Sequence, residues 1–350
     1  MRALHIVVPG LFWPDFKDSR PYDGLTLPGL ERLLARARIR TQAVTGVEGW
    51  WMAVWGFGSQ SAPVAAVLAQ AAGLDAGRLA WMCADPVGLQ ARGVELFLTA
   101  GSRLEISRSE AEALLETLNR FFAADGLTFH AVAPDRWVVE LAEAPAMTTT
   151  PLSAAHGRAI DALLPRGDGA RDWIRRLNEA QMLLHDHPVN AQREAAGQPM
   201  VNSVWFWGAG RLSPPAARPA TRIYTDDLLG FALGRAAGIP VEPLPDAAQT
   251  VLGAASREAV LLEFSACTRA AEAGDVEAWR AALESLDLHC LSPALTALSA
   301  GMIDRVVLTG ITGRRCLEAR ISRLDLLRFW RRRQAFGPEL HARLVHQASG

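Results

Sequence analysis

Residues 185 to 211 read HDHPVNAQREAAGQPMVNSVWFWGAGR and bring two histidines, two asparagines, an Arg-Glu pair, two tryptophans and a Gly-x-Gly into one segment. Asn190, Arg193 and Asn202 are the types that grip a phosphate or carboxylate, because arginine offers a planar fork to two oxygens and asparagine adds oriented donors. The same side chains also suit a loop whose main-chain groups need partners, so an anion-holding role and a stitching role both stand open. His187, with His185 and Asp186, suggests a metal cluster. Histidines two apart do not share a helix face, so a helix end halted by Pro188 is the expectation, with His187 kept as a candidate ligand-binding residue. Trp205 and Trp207 alternate with Phe206 and therefore point to one face of a strand, as core residues. Gly208 and Gly210 form a tight turn that could also bring amides close to an anion.

Other candidates are scattered. Asp85 in CADPVGLQ stands before Pro86 at an expected strand end, either as a ligand-binding carboxylate or as an Asx-type turn. Ser59 and Ser61 in WGFGSQSAP are candidate nucleophiles, and either could equally cap the helix that follows. Asp15, Asp18 and Asp23 in WPDFKDSRPYDG, together with His289, are candidate metal ligands, and as a loop the acidic residues could simply be solvated. Cys83, Cys267, Cys290 and Cys316 lack any C-x-x-C or zinc-like spacing and are expected as reduced thiols.

A formal net charge of -1 gives no long-range reason to expect nucleic acid or an anionic membrane as partner. Lys17 is the only lysine, so arginine clusters such as RFWRRR at 328 to 333 are discounted and read as a solvated helix end. No apolar run is long enough to span a bilayer. The opening MRALHIVVPG reads as a first strand rather than a signal peptide, and the cytoplasm is the expected location.

The elements that must position these residues follow an α/β rhythm. ALHIVV at 3 to 8 is a buried parallel strand, and 27 to 38 carries Leu30, Leu33, Leu34 and Ala37 on one helical face. A helix at 62 to 73 and a strand at 78 to 86 follow. The texture then changes to a strand at 94 to 100, a Ser-capped helix at 107 to 126 and a hairpin of 127 to 133 with 136 to 142 across Pro134-Asp135. A long helix at 170 to 188 leads to the strand at 200 to 210. Beyond it come helices at 226 to 237, 275 to 286, 291 to 299 and 324 to 334, and strands at 259 to 265, 304 to 311 and 315 to 321. Trp50, Trp51 and Trp55 fit helical spacing and are expected in the core; exposed, they would mark an interaction surface.

The motif DHPVNxxRExxGxPxxNSxWxWGxG, with CADPVGLQ at 83 to 90, SEAEALLETLNRFFAADGLTF at 109 to 129, NEAQMLLHDHPVN at 178 to 190 and RLDLLRFWR near the end, resembles the archaeal-type cofactor-independent phosphoglycerate mutases. It is most similar to their bacterial branch of RpfE-type regulatory proteins. The resemblance implies an alkaline-phosphatase-like α/β core sheet flanked by helices and interrupted by an inserted smaller α+β domain. The expected bounds are 1–86 plus 200–350 for the core and 87–199 for the insertion with its hinge.

The resemblance also implies two divalent metals and a Ser or Thr nucleophile. The family's first metal ligand is an aspartate in a DG pair directly after the first strand, where this chain has Pro9-Gly10, and no histidine beyond residue 211 (His289, His341, His346) adjoins an aspartate. The expectation is therefore a protein with a degraded two-metal site, needing no cofactor. It would act as a regulatory or binding protein for a small phosphorylated or carboxylated metabolite, with a protein partner as a further prospect and no nucleic acid or membrane. The alternative is an active metal-dependent phosphomutase or phosphatase using Mn or Zn on rearranged ligands.

Overall fold

The computed structural model describes residues 2–14, 18–58, 63–245, 248–328, 330–331, 335–340 and 342. The chain divides into two compact units, Met1–Trp50 with Ala217–Gly350, and Trp51–Ala216. Its strands are β1 (Ala3–Pro9), β2 (Arg38–Ala43), β3 (Ala80–Arg92), β4 (Glu95–Thr99), β5 (Thr128–Ala133), β6 (Arg136–Leu141) and β7 (Met147–Thr148). They continue with β8 (Arg166–Gly167), β9 (Ser203–Arg211), β10 (Arg222–Tyr224), β11 (Val241–Glu242), β12 (Ala259–Glu263), β13 (Arg305–Thr312) and β14 (Arg315–Ser322). The helices are α1 (Pro28–Arg36), α2 (Gly46–Val54), α3 (Val64–Ala71), α4 (Arg108–Phe122), α5 (Leu152–Ala155) and α6 (Ala170–His185). After these come α7 (Pro188–Ala195), α8 (Leu228–Ala236), α9 (Ala248–Ala255), α10 (Ala266–Ala273), α11 (Val276–Leu286) and α12 (Ser292–Ser299).

The first unit is built on a mixed sheet in the order β11-β10-β12-β1-β13-β14-β2. Strand β1 lies parallel between β12 and β13, which explains its nearly unbroken apolar run. Alternation sends Leu4, Ile6 and Val8 into one core with Leu30 and Leu33 of α1, Leu283 of α11 and Leu298 of α12. Asp287, just past α11, accepts hydrogen bonds from the Gly29 and Leu30 amides at 3.1 and 2.5 Å and so caps α1. Strand β2 was not anticipated: its burial alternates weakly at a sheet edge, and four of its six side chains are exposed.

The second unit holds the sheet β4-β3-β6-β5, with β9 also paired to β3. The expected division at 86/87 falls inside β3, which runs on to Arg92 and turns at Gly93 (φ +65°) into β4. The capping box on α4 is present as expected, with the Glu110 amide donating to Ser107 Oγ at 3.3 Å and the Ser107 amide to the Glu110 carboxylate at 2.8 Å. Phe206 packs on Trp173 of α6 and near Phe129, while its neighbours Trp205 and Trp207 turn to the other face.

Two expectations change, and the core placement expected for the tryptophans at 50, 51 and 55 holds. Pro188 does not simply stop a helix: α6 ends at His185, and Pro188 is the first residue of α7, where its missing N–H costs nothing. The helix expected over 324 to 334 is, among the described residues, a single 3-10 turn at Asp325–Leu327. Trp50, Trp51 and Trp55 are all buried, which removes the exposed aromatic surface considered for them. Among the described residues no helix is long and apolar enough to cross a membrane.

Candidate functional site

The 185 to 211 segment contains α7, a loop and β9. His187 caps α7 through Nδ1, which accepts the Val189 amide at 3.2 Å, while Nε2 meets Thr117 Oγ1 of α4 at 3.1 Å. Accepting at Nδ1 requires that nitrogen to be unprotonated. Burial, with Arg120 second, holds its pKa below the usual histidine value and favours that form.

Asn190 is fully buried. Its amide nitrogen donates to the Leu184 and Val201 carbonyls at 2.6 and 2.9 Å, and its oxygen accepts the Val201 amide at 2.8 Å. Asn202 reaches β3 in the same manner, accepting from Leu89 N at 2.7 Å and donating to Leu89 O at 3.0 Å, as a strand backbone would.

Arg193 is 1% exposed and directs Nε to Pro199 O at 2.7 Å, Nη1 to Glu110 Oε1 at 2.9 Å and Nη2 to Leu104 O. Burial works to raise the Glu110 pKa, yet hydrogen bonds from Ser107 and Arg193 outweigh it and hold the carboxyl low. Of the two roles open to Asn190, Arg193 and Asn202 in the sequence, these bonds fill the stitching one: each polar group faces a main-chain atom or Glu110.

Asp85 is fully buried inside β3 rather than at a turn, since Pro86 continues the strand opposite Val204. Its Oδ2 accepts Trp207 Nε1 at 2.7 Å and Arg136 Nη1 at 3.1 Å, and its Oδ1 accepts the Trp137 amide at 3.1 Å. One carboxylate thus links β3, β6 and β9. Desolvation raises its pKa to about 6, against the lowering pull of Arg136 and of the Trp207 and Trp137 bonds.

The carboxyl end of β1 is where the resemblance seeks a metal-binding aspartate. Pro9 supplies no side-chain donor, and Gly10 (φ +72°) gives its carbonyl to Trp279 Nε1 at 2.9 Å. A Cβ on Gly10 would stand 2.8 Å from Thr268 Cα, and one on Gly310 would stand 2.4 Å from Leu11 Cδ2. Trp13 and Tyr22 pack edge-on against Trp279, and Phe12 stacks on Phe336. The strand end is closed by aliphatic and aromatic side chains.

A polar row crosses the opposite face of the same sheet. Register places Glu263, Val7, Thr309 and Glu318 side by side on β12, β1, β13 and β14. Thr225 Oγ1 donates to Glu263 Oε2 at 2.5 Å. His5, two residues before Val7, brings Nε2 to 2.8 Å from Thr309 Oγ1 and rests edge-on against Trp50. Burial pushes the imidazole pKa down to about 4, Glu318 opposing and Arg320 reinforcing the shift. A neutral imidazole beside a hydroxyl is competent to take its proton, but Thr309 is completely buried and the pair serves as internal hydrogen bonding. Sequence reasoning passed over His5, Glu263 and Thr309. Their one signal was a polar residue inside an otherwise apolar strand, in ALHIVV, AVLLEFS and DRVVLTGI.

Among the described residues the remaining candidates form no metal-binding group. Asp18 is engaged by Arg20 at 2.8 and 2.9 Å, Asp23 is exposed after a 3-10 turn, and His289 is exposed on the π-helical turn Asp287–Leu291. Ser59, Ser61 and Asp15 lie outside the described residues, as do His341 and His346. Among the described residues no three His, Cys, Asp or Glu side chains stand together as a metal-binding group, and none of the four cysteines forms a disulfide.

No family model matches the chain. It is similar to a 2,3-bisphosphoglycerate-independent phosphoglycerate mutase of Methanothrix thermoacetophila, 33% identical over 183 residues that make up 45% of each protein. A probable 2,3-bisphosphoglycerate-independent phosphoglycerate mutase of Geobacter sulfurreducens is 30% identical over 107 residues, 30% of this chain and 27% of that protein. The matched region spans less than half the length of these curated relatives. Among solved structures, the PH0037 protein of Pyrococcus horikoshii shares the fold over 91% of this chain and 87% of its own, with a TM-score of 0.53 and 15% identity. A cofactor-independent phosphoglycerate mutase of Thermoplasma acidophilum covers 99% of both chains at a TM-score of 0.48 and 15% identity.

Proposed function

We propose that this chain is a phosphoglycerate-mutase-like protein that no longer transfers phosphoryl groups through a metal pair, and that it acts as a regulatory protein sensing a small phosphorylated or carboxylated metabolite. The observation carrying this reading is the carboxyl end of β1. A two-metal centre needs carboxylate or imidazole donors there to hold the cations and lower the nucleophile's pKa. Pro9 and Gly10, backed by Leu11, Trp13 and Trp279, offer carbon and an already hydrogen-bonded carbonyl, so the described residues at this strand end do not fit a divalent metal pair. The fold can outlast such a loss because it rests on many buried side chains, whereas the site rests on a handful. The two mutase relatives support the phosphoglycerate-mutase-like relationship, the β1 end supports the loss of the metal pair, and the resemblance of the central motif to a regulatory branch suggests the regulatory role.

The full chain, assayed on phosphoglycerates and a generic phosphomonoester with Mn²⁺, Zn²⁺ or Mg²⁺, should show neither stoichiometric metal nor turnover. A phosphorylated or carboxylated metabolite that binds only the folded state should stabilise it, by roughly 2.7 kcal/mol at a hundred times its Kd. Metal-dependent turnover abolished by Ser59→Ala or Ser61→Ala would sink the reading in favour of a working phosphomutase or phosphatase.

A further inference from the structure

The segment that follows β14 is fixed in place and yet presents apolar side chains to solvent. Asp325 is buried and accepts Ser322 N and Oγ at 3.0 and 2.7 Å, with Arg328 at 3.0 Å and Arg38 at 3.5 Å on its other oxygen. Leu326 enters the core, and Arg36 donates to its carbonyl at 2.7 Å. With Asp325 and Leu326 turned inward, Leu324 and Leu327 must face outward; they are 77% and 64% exposed, and Trp330 is 67% exposed.

A groove of about 310 Å³ runs between the Gly301–Asp304 turn and Arg323–Leu324, with Met302 exposed in that turn and the Arg323 guanidinium lying against Gly301. Residues 323 to 333 contain Arg323, Arg328, Arg331, Arg332 and Arg333 against the single acid Asp325, in a chain of net charge -1. Arg328 is held by Asp325, while Arg323 and Arg331 are exposed beside the apolar side chains.

We propose that this surface docks an acidic segment of a partner protein, an apolar side chain entering the groove beside Leu324 and carboxylates meeting Arg323 and Arg331. Charge selects the occupant. A second copy would set arginine against arginine, whereas carboxylates spaced between apolar residues match both features, with arginine's fork suited to carboxylate oxygens.

The test uses the full chain and fluorescence polarisation with a short labelled peptide alternating Glu with Leu and Phe. One control peptide carries Lys in place of Glu, and another carries Ser in place of Leu and Phe. The acidic apolar peptide should bind at least about tenfold tighter than either control and weaken as salt rises. Leu324→Ser/Leu327→Ser and Arg323→Glu/Arg331→Glu should each weaken it about tenfold at unchanged Tm, and Leu288→Ser, at an exposed leucine elsewhere, should not. The proposal is overturned by acidic-peptide binding no tighter than that of the controls, by indifference to both double variants, or by attachment to phosphatidylserine vesicles that the acidic peptide does not displace.

Discussion

Replacing Arg193 by methionine separates a residue that holds the fold from one that holds a ligand. Methionine keeps the apolar stem and removes the guanidinium, leaving Leu104 O, Pro199 O and Glu110 Oε1 without their donors. Leu104 is buried, so its orphaned carbonyl should cost about 1–3 kcal/mol. Pro199 and Glu110 are partly exposed, and water can replace much of what they lose. Removing a buried charge also relieves its desolvation, which trims the total below the ~3–5 kcal/mol expected for breaking a fully buried pair. The net expectation is a loss of about 2–4 kcal/mol, and for a unit the size of Trp51–Ala216 that lowers Tm by roughly 5–15 °C. Calorimetry and urea denaturation of wild type, Arg193→Met and Arg193→Lys read this directly. Lysine should fall between, because one ammonium cannot reproduce the planar fork. If Arg193→Met instead left Tm within about a degree of wild type while erasing stabilisation by an anionic metabolite, the stitching role would be refuted and an anion-holding role established.

Asp85→Asn should cost about 1–3 kcal/mol by turning an amide N–H₂ toward one of three donors. Because the folded chain holds the Asp85 proton more tightly than the unfolded chain, this contribution is complete below the ordinary carboxylate range and lost as pH rises through about 6; Asp85→Asn should abolish that slope in urea midpoints. His5 behaves oppositely: its folded pKa of about 4 means that its contribution is present above the usual histidine value and lost as pH falls toward 4, so His5→Gln should hold stability better between those values. Gly10→Ala should destabilise by roughly 2–4 kcal/mol, because it joins a left-handed backbone to a Cβ pressed on Thr268, and an unchanged denaturation midpoint would contradict the tight closure of the β1 end.

Much of the fold was legible because it is written in local patterns. The apolar run of β1 declared a buried parallel strand, the Leu30, Leu33 and Leu34 spacing declared α1, and a serine at 107 or 109 with a glutamate at 110 or 112 declared the start of α4, which the structure assigns to Ser107 and Glu110. The site was less legible because its meaning depends on partners far along the chain. Asn202 was visible as a hydrogen-bonding residue, yet only pairing with Leu89, more than a hundred positions away, turned it into a substitute for strand backbone. Asp85 before a proline could be read as a ligand-binding carboxylate or as a turn residue; pairing with β9, which runs past Pro86 to Val87, keeps the chain extended, and β9 and β6 together supply the carboxylate's donors. Strand β2 escaped notice because an exposed edge imposes little alternation on side chains.

The sequence alone determined that an α/β chain would carry a second unit within it, that the motif at 185 to 211 resembles a mutase family, and that Pro9 stands where a ligand was expected. Periodicity and single-residue chemistry are local properties and need no partner to be read. Tertiary structure alone decided where the two units divide, that Arg193 is committed to Leu104, Pro199 and Glu110, and that Trp279 closes the end of β1. The physical reason is that a polar group's role is set by which donor or acceptor meets it after burial, and that encounter joins residues as far as 304 positions apart.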